Sequence, residues 1–341
     1  MKEERIIDGA YFQPEDQEEA GLRPRHLRDF LGQKQLKENL AVFIQAARQR
    51  GESLDHVFFS GPPGLGKTTL AGIIANELGV QFRATSAPAL ERTGDLVAIL
   101  STIGENNVFF IDEIHRLKPV IEEMLYTAME DFEMDVVMGQ GPGARTIKIP
   151  LAPFTLVGAT TKTGLVSGPL YSRFGITTRL DFYGEEDIEA IIHRSAKILK
   201  VEIEGDAARE LAHCSRGTPR VANRLLRRMR DFAQVWGKGR VECSIVFRGL
   251  ESLAIDSLGL DKLDREILKM IIERYRGGPV GSETLAISIG ESVDTLEDVY
   301  EPYLIQRGLL QRTPRGRIVT ESTYRHLGLK KLAREDQQFF L

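Results

Sequence analysis

Residues Gly61-Pro62-Pro63-Gly64-Leu65-Gly66-Lys67-Thr68-Thr69 fit the pattern G-x-x-x-x-G-K-[ST] at Gly61, Gly66, Lys67 and Thr68. Successive backbone N–H groups of such a loop form a nest for an anion, and the positive end of the following helix adds to it. In this arrangement Lys67 reaches β- and γ-phosphates, the Thr68 hydroxyl binds Mg²⁺, and Gly64 and Thr69 belong to the same cradle. The expected ligands are therefore ATP or ADP with Mg²⁺. A dinucleotide fingerprint is excluded, because Gly61, Gly64 and Gly66 are spaced G-x-x-G-x-G rather than G-x-G-x-x-G. Hydrolysis needs more than a cradle. Asp112-Glu113 follow the apolar run Val108-Phe109-Phe110-Ile111. Carboxylates at the carboxyl end of a strand beside the loop strand suit that need, Asp112 holding the metal through water and Glu113 polarising the attacking water. Standing alone, the pair also fits an ordinary acidic helix start.

Other candidates are less specific. Thr160-Thr161 follow the strand-like run Phe154-Thr155-Leu156-Val157, where a hydroxyl meets the γ-phosphate or the attacking water; threonine is also common in such turns. Arg173, in Pro169-Leu170-Tyr171-Ser172-Arg173-Phe174-Gly175, has the planar fork that suits phosphate oxygens, although by spacing alone a surface salt bridge is the simpler reading. Arg220, in Gly217-Thr218-Pro219-Arg220, opens a helix and is either a nucleotide contact or a solvated helix residue. His115 reads as a surface or packing residue. The six histidines show no metal-ligand spacing with cysteine or carboxylate.

The elements that position these residues follow from hydropathy. His56-Val57-Phe58-Phe59 is a strand before the loop, and Thr69–Leu78 an amphipathic helix ended by Gly79. Helical spacing over 36–48, 95–103 and 119–129 alternates with strand-like runs at 80–84, 108–111 and 154–157. Strands alternating with helices mean a parallel α/β sheet covered on both faces. Residues 134–149 alternate around Gly139-Gln140-Gly141-Pro142-Gly143 and predict a hairpin with a mobile tip. After Tyr183 the pattern is helical to residue 255 or so, with little strand signal. Helices over 263–275, 282–289 and 294–306, then Leu309–Arg312, the turn Thr313-Pro314-Arg315-Gly316 and Arg317–Thr320, give the order of a winged helix. The domains read as a flexible arm over 1–21 carrying a solvated acidic run, a P-loop ATPase domain over 22–183, a small helical domain over 184–256 and a winged-helix domain over 257–341.

Composition limits the function classes. The formal net charge of −4 excludes a protein that coats nucleic acid over its whole surface, yet leaves room for a local basic patch. Such a patch lies between Glu301 and Leu341, where the balance is +4. Arg312, Arg315 and Arg317 flank one hairpin turn there and are expected to meet DNA phosphates together, a charged solvated hairpin being the alternative. No aromatic residues interleave with them, so base stacking is not indicated. No stretch is long and apolar enough to span a membrane, and no signal-peptide pattern stands at the N-terminus. The two cysteines, Cys214 and Cys243, fit a reducing cytosol and the role of small buried hydrophobes.

Taken in order, Gly61–Thr69, Ile111-Asp112-Glu113, Gly158-Ala159-Thr160-Thr161, Ser172–Gly175 and Gly217–Arg220 resemble the motif set of the AAA+ ATPases. Leu22-Arg23-Pro24 with Phe30-Leu31-Gly32-Gln33, Thr127–Phe132 and Arg312–Arg317 narrow the resemblance, over about Leu22 to Leu329, to the AAA+ motors that drive branch migration of Holliday junctions. That resemblance implies a homo-hexameric ring around duplex DNA, with ATP at subunit interfaces. Leu22, Arg23 and Tyr183 would bind nucleotide at the domain entry and link, and Glu130, Asp131 and Phe132 would contribute to the site. Thr161 would be sensor 1, Arg220 sensor 2 in cis, and Arg173 a finger acting on a neighbour's ATP. The hairpin within 133–149 would dock on the junction-binding partner RuvA, with Val136, Val137 and Met138 as candidate contacts, and the resolvase RuvC would join the complex. Val293 stands where the family often has arginine, so one DNA contact is expected to be missing. A clamp-loader-type ATPase and a nucleotide-switched winged-helix regulator are the alternatives; the winged helix, in place of a helical collar, argues against the first.

Overall fold

The run Val108-Phe109-Phe110-Ile111 is buried along its whole length, as a strand covered on both faces must be. In the computed structural model, which describes residues 21–138 and 145–330, it forms β3 (Val108–Asp112) near the middle of a five-stranded sheet. The others are β1 (Val57–Ser60), β2 (Phe82–Ser86), β6 (Thr155–Thr160) and β7 (Ile176–Arg179), in the order β2-β3-β6-β1-β7. Every pairing in this sheet is parallel. The antiparallel hairpin β4 (Glu133–Met138) and β5 (Arg145–Pro150) stands apart from it. Residues 1–20 of the arm expected over 1–21, the hairpin tip 139–143 and the basic and acidic residues beyond 330 lie outside the described residues.

Order matters more than strand count here. Because β3, β6 and β1 are neighbours, their carboxyl ends lie side by side, with Ser60 opposite Thr160 and Ile111 opposite Gly158. In open parallel sheets, ligands bind at this edge. Phe58, Phe109, Ile111, Leu125, Phe154, Leu156 and Phe174 fill the core behind it. Phe58 meets Tyr171 edge-on at 5.2 Å and Phe174 at the same centroid distance, so the segment carrying Arg173 is anchored by rings on both sides of that arginine. Each fully buried ring contributes about 1.5–3 kcal/mol.

Two compact units account for the chain: residues up to Glu202 together with Gly217–Leu226, and Ile203–Arg216 together with the residues from Arg227 onward. The helix Glu185–Leu199 and the first turns of Pro219–Trp236 thus cluster with the sheet. Two-residue strands at Glu202–Ile203 and Arg240–Val241 interrupt the helical pattern expected between 184 and 256.

In the second unit, the helix Lys262–Tyr275 has a capped start at Asp261, whose carboxylate accepts the N–H groups of Leu263 and Asp264. This helix and Ser282–Ile289 pack with Leu296, Leu304, Leu309 and Leu310 around one core. The expected helix over 294–306 is not uniform: it runs as Val293–Thr295, a π-helical turn Leu296–Tyr300, and Glu301–Gln306. Pro302 lacks the N–H that would bond the carbonyl four residues back, which loosens the ladder at this point. The strands Leu310–Thr313 and Gly316–Val319 form the wing, and Val280 bridges to Arg317 as a further edge. Gly316, at φ 129°, sits against this bridge; a Cβ there would lie 2.3 Å from the Val280 carbonyl oxygen.

Both cysteines are free, and burial pushes the Cys214 thiol up to about 12, which makes it an inert packing group. Among the described residues no helix is long and apolar enough to cross a membrane.

Candidate functional site

The loop after β1 begins with Gly61 at φ 133°, where a Cβ would stand 2.4 Å from the Leu180 carbonyl oxygen, so only glycine fits. The loop ends at Lys67, the first residue of the helix Lys67–Leu78. The Lys67 ammonium donates to the carbonyls of Gly61 (2.7 Å) and Pro62 (2.9 Å). Burial holds its pKa below the ordinary lysine value, against the opposing pull of Glu113 and Asp112. A buried cation facing partial solvation by carbonyls is poised for an anionic ligand.

At the end of β3, Asp112 accepts the Glu113 N–H at 3.0 Å. Its carboxyl is pushed above the usual range, first by burial and then by the Glu113 charge. Two adjacent, partly desolvated acids in the cleft that Thr68 also lines fit a divalent cation, which would relieve that cost. Among the described residues no cluster of three or more acids, histidines or cysteines forms a metal site. The sparse donor set suits Mg²⁺, which takes one or two protein ligands and completes its shell with phosphate and water.

Glu113 adopts left-handed backbone angles (φ 47°, ψ 47°), uncommon for a residue with a side chain and costing about 1 kcal/mol or more. Its Oε2 accepts from the Thr161 N–H (3.2 Å) and the Thr161 hydroxyl (3.1 Å), and lies 3.2 Å from His115 Nδ1. The same His115 nitrogen is 2.8 Å from Thr160 Oγ1. His115 thus lies between Glu113 and Thr160 with its side chain only 9% exposed, a packed position and not a surface one. A polar side chain two residues past the acid pair is the available signal. We expect His115→Ala to lower the turnover number for ATP about tenfold with little change in KM, the scale of one lost charge-assisted hydrogen bond. His115→Asn should recover part of it; steady-state phosphate release measures both.

One cleft gathers most of the expected nucleotide residues. Leu22, Arg23, Gly64, Gly66, Lys67, Thr68, Thr69, Asp112, Glu113, Tyr183 and Arg220 all line it. The Tyr183 hydroxyl donates to the Leu65 carbonyl (3.0 Å), and the Arg220 N–H reaches the Gly64 carbonyl (3.4 Å). Arg220 is close enough for its charge to depress the Lys67 pKa further. Arg194 and Asn223 also line the cleft, and Arg194 donates to the Leu22 carbonyl at 2.7 Å. Sequence reasoning misses both, since nothing separates them from other polar positions on amphipathic helices. Thr161 reaches the cleft only through Glu113.

Glu130, Asp131, Phe132 and Arg173 are not in this cleft. Arg173 instead donates to Glu130 (3.1 Å) and to the Pro169 carbonyl (2.7 Å) and lies over the Tyr126 ring at 4.3 Å, while its Nε is buried without a partner. Phe132 packs on Phe154, with ring centroids 5.9 Å apart.

The wing departs from expectation in one residue. Arg312 is half exposed and Arg315 exposed, but Arg317 is 8% exposed and its guanidinium is taken up by Glu301 and Glu297. The three arginines do not present one open phosphate surface: the strand pairing with Val280 turns Arg317 into the core, where two carboxylates balance it. On the 133–149 hairpin, Ile147 is 49% exposed and Val136 stands opposite it.

Comparison with known proteins covers nearly the whole described chain. Residues 22–180 match the Holliday junction DNA helicase RuvB P-loop domain, 183–256 the RuvB AAA lid domain, and 257–328 the RuvB C-terminal winged helix domain. The Holliday junction branch migration complex subunit RuvB of Treponema denticola is 68% identical over 314 residues, 92% of each chain. That of Treponema pallidum is 63% identical over 317 residues, 93% of this chain and 91% of the relative. The solved Thermotoga maritima RuvB Holliday junction branch migration motor superposes with a TM-score of 0.85 at 52% identity, covering 91% of this chain and 99% of that one. With an AAA+ P-loop domain, a lid and a winged helix matched in sequence and in fold, this chain belongs to the RuvB family of Holliday-junction branch-migration motors.

Proposed function

We propose that the chain hydrolyses ATP to drive branch migration of Holliday junctions during recombination and repair, as a homo-hexameric ring on duplex DNA. The observation that carries this reading is the convergence of the P-loop, Asp112-Glu113 and Thr161 on one sheet edge, in a chain matched along its length to RuvB. Thr68 and, through water, Asp112 would hold Mg²⁺, which when bound would supply charge neutralisation at the phosphates. Lys67 and the loop N–H groups grip the phosphates, Glu113 takes a proton from the attacking water, and Thr161 with His115 aims Glu113. Arg220 reaches the nucleotide from within the same chain. Arg173, with Glu130, Asp131 and Phe132 lying outside the chain's own cleft, serves the nucleotide of a neighbour. The 133–149 hairpin meets RuvA, RuvC joins for resolution, and Arg312 and Arg315 meet DNA phosphates. A cytoplasmic location accords with that substrate.

The test is migration of a synthetic four-way junction with ATP and RuvA. Strand exchange is expected only when all three are present, and duplex binding should be salt-dependent and indifferent to sequence. Absence of migration with RuvA and ATP both supplied would overturn the assignment, and a strong preference for one DNA site would favour a regulator.

A further inference from the structure

Arg312 and Arg317 are cross-strand partners on the wing, and both guanidinium groups turn back toward the helical run that carries Glu297 and Glu301. Arg317 donates through Nε to Glu301 Oε1 (2.6 Å) and through Nη2 to Glu297 Oε1 (2.5 Å). Arg312 donates to Glu301 Oε2 through both Nη2 (2.8 Å) and Nε (3.2 Å), and its Nη2 makes a longer ion pair, 3.4 Å, with Glu297 Oε1. Burial grades across the four side chains: Glu301 is 1% exposed, Arg317 9%, Glu297 28% and Arg312 51%.

The two acids therefore differ in what they can do. Glu301 is sealed in and grips both arginines, so its loss would strand a buried guanidinium. Glu297 sits at the solvent margin, in the π-helical turn, and the Arg317 pair with Glu301 survives without it. A carboxylate at the rim beside a half-exposed arginine offers that arginine the same chemistry as a DNA phosphodiester: an anionic oxygen pair in reach of a planar fork. With Glu301 holding one side of the Arg312 fork, the solvent side can meet Glu297 or a phosphate fully, not both.

We propose that Glu297 is an internal competitor for the phosphodiester at Arg312, setting how tightly the wing holds DNA. The proposal rests on the reading that the wing touches the duplex, and deepens it. A translocating motor must let go of each phosphate it grips; a tethered carboxylate that replaces the departing phosphate lowers the cost of letting go, and does so at any DNA sequence. Glu301 acts as the positioning residue that keeps Arg317, and through it the wing, in register.

The experiment is equilibrium binding of the intact chain to a labelled duplex of arbitrary sequence, titrated in salt at fixed nucleotide concentration. For Glu297→Gln, tighter binding is expected, with the ratio of affinities between about 50 and about 200 mM salt enlarged about 3.5-fold, the effect of one further phosphate contact. Arg312→Ala should weaken binding alone and abolish the gain when combined with Glu297→Gln. Unchanged or weaker binding by a Glu297→Gln chain that melts normally overturns the competitor role. If Glu297→Gln melts early, Glu297→Asp, which keeps the charge but withdraws the carboxylate, is used in its place; tighter binding supports the proposal and unchanged binding overturns it. If Arg312→Ala combined with Arg315→Ala leaves duplex affinity unchanged, the wing is not a DNA contact and the underlying reading fails. If that pair weakens binding while neither Glu297 variant tightens it, only the competitor fails.

Discussion

Replacing Glu113 by glutamine is expected to lower ATP hydrolysis by about 10²–10⁴-fold, the usual contribution of a positioned general base, while nucleotide binding persists. The amide keeps the size of the side chain and an oxygen that can accept from the Thr161 N–H and hydroxyl, so the strained backbone at Glu113 loses no packing. What it loses is the ability to take a proton. The phosphate grip proposed for Lys67 and the loop is left in place, since the change touches neither of them nor the Lys67 bonds to the Gly61 and Pro62 carbonyls. Phosphate release under saturating ATP, with fluorescent-nucleotide titration alongside, separates the two properties. A Glu113→Gln chain that hydrolyses within about twofold of the parent would remove Glu113 from the base role.

Arg173→Ala should abolish hydrolysis on a comparable or larger scale, about 10³–10⁵-fold for an arginine finger. Its local cost is bounded: contacts to Glu130, the Pro169 carbonyl and the Tyr126 ring are lost, but Phe58 still anchors Tyr171 and Phe174 on either side. Because Arg173 lies outside its own chain's cleft, a subunit carrying the change should still bind nucleotide with near-parental affinity. Mixing Arg173→Ala with Glu113→Gln chains creates some interfaces with an intact base on one side and an intact finger on the other. Partial recovery of phosphate release across a range of mixing ratios is the expected signature of action between subunits. No recovery at any ratio would count against it.

The chemistry of the cleft is legible in the sequence where backbone geometry forces residue type. Positive φ at Gly61 requires glycine, and full burial of β3 requires an unbroken apolar run, so the loop and the acids at the strand end are visible as strings. Edge strand β7 is not: Ile176-Thr177-Thr178-Arg179 buries only its first residue and carries no periodic signal. Strand order is not legible either, because β6 inserts between β3 and β1 through contacts far apart in the chain. Arg317 shows a different limit. Residue type alone suggests an exposed cation, and only the partners decide burial; Glu297 and Glu301, one helical turn apart, are the countercharges that decide it here. His115 escapes a reading by residue type for a similar reason, since its partner Thr160 is remote in sequence and adjacent only across the sheet edge.

Leu22, Lys67, Asp112, Tyr183 and Asn223 all face one cleft. In polymer terms, a ligand touching the first and last of these bridges positions about 200 residues apart in a loop whose closure entropy folding has already met. A nucleotide that binds only this closed arrangement favours the folded chain by mass action, so the melting temperature should rise with nucleotide concentration and fall back as product leaves.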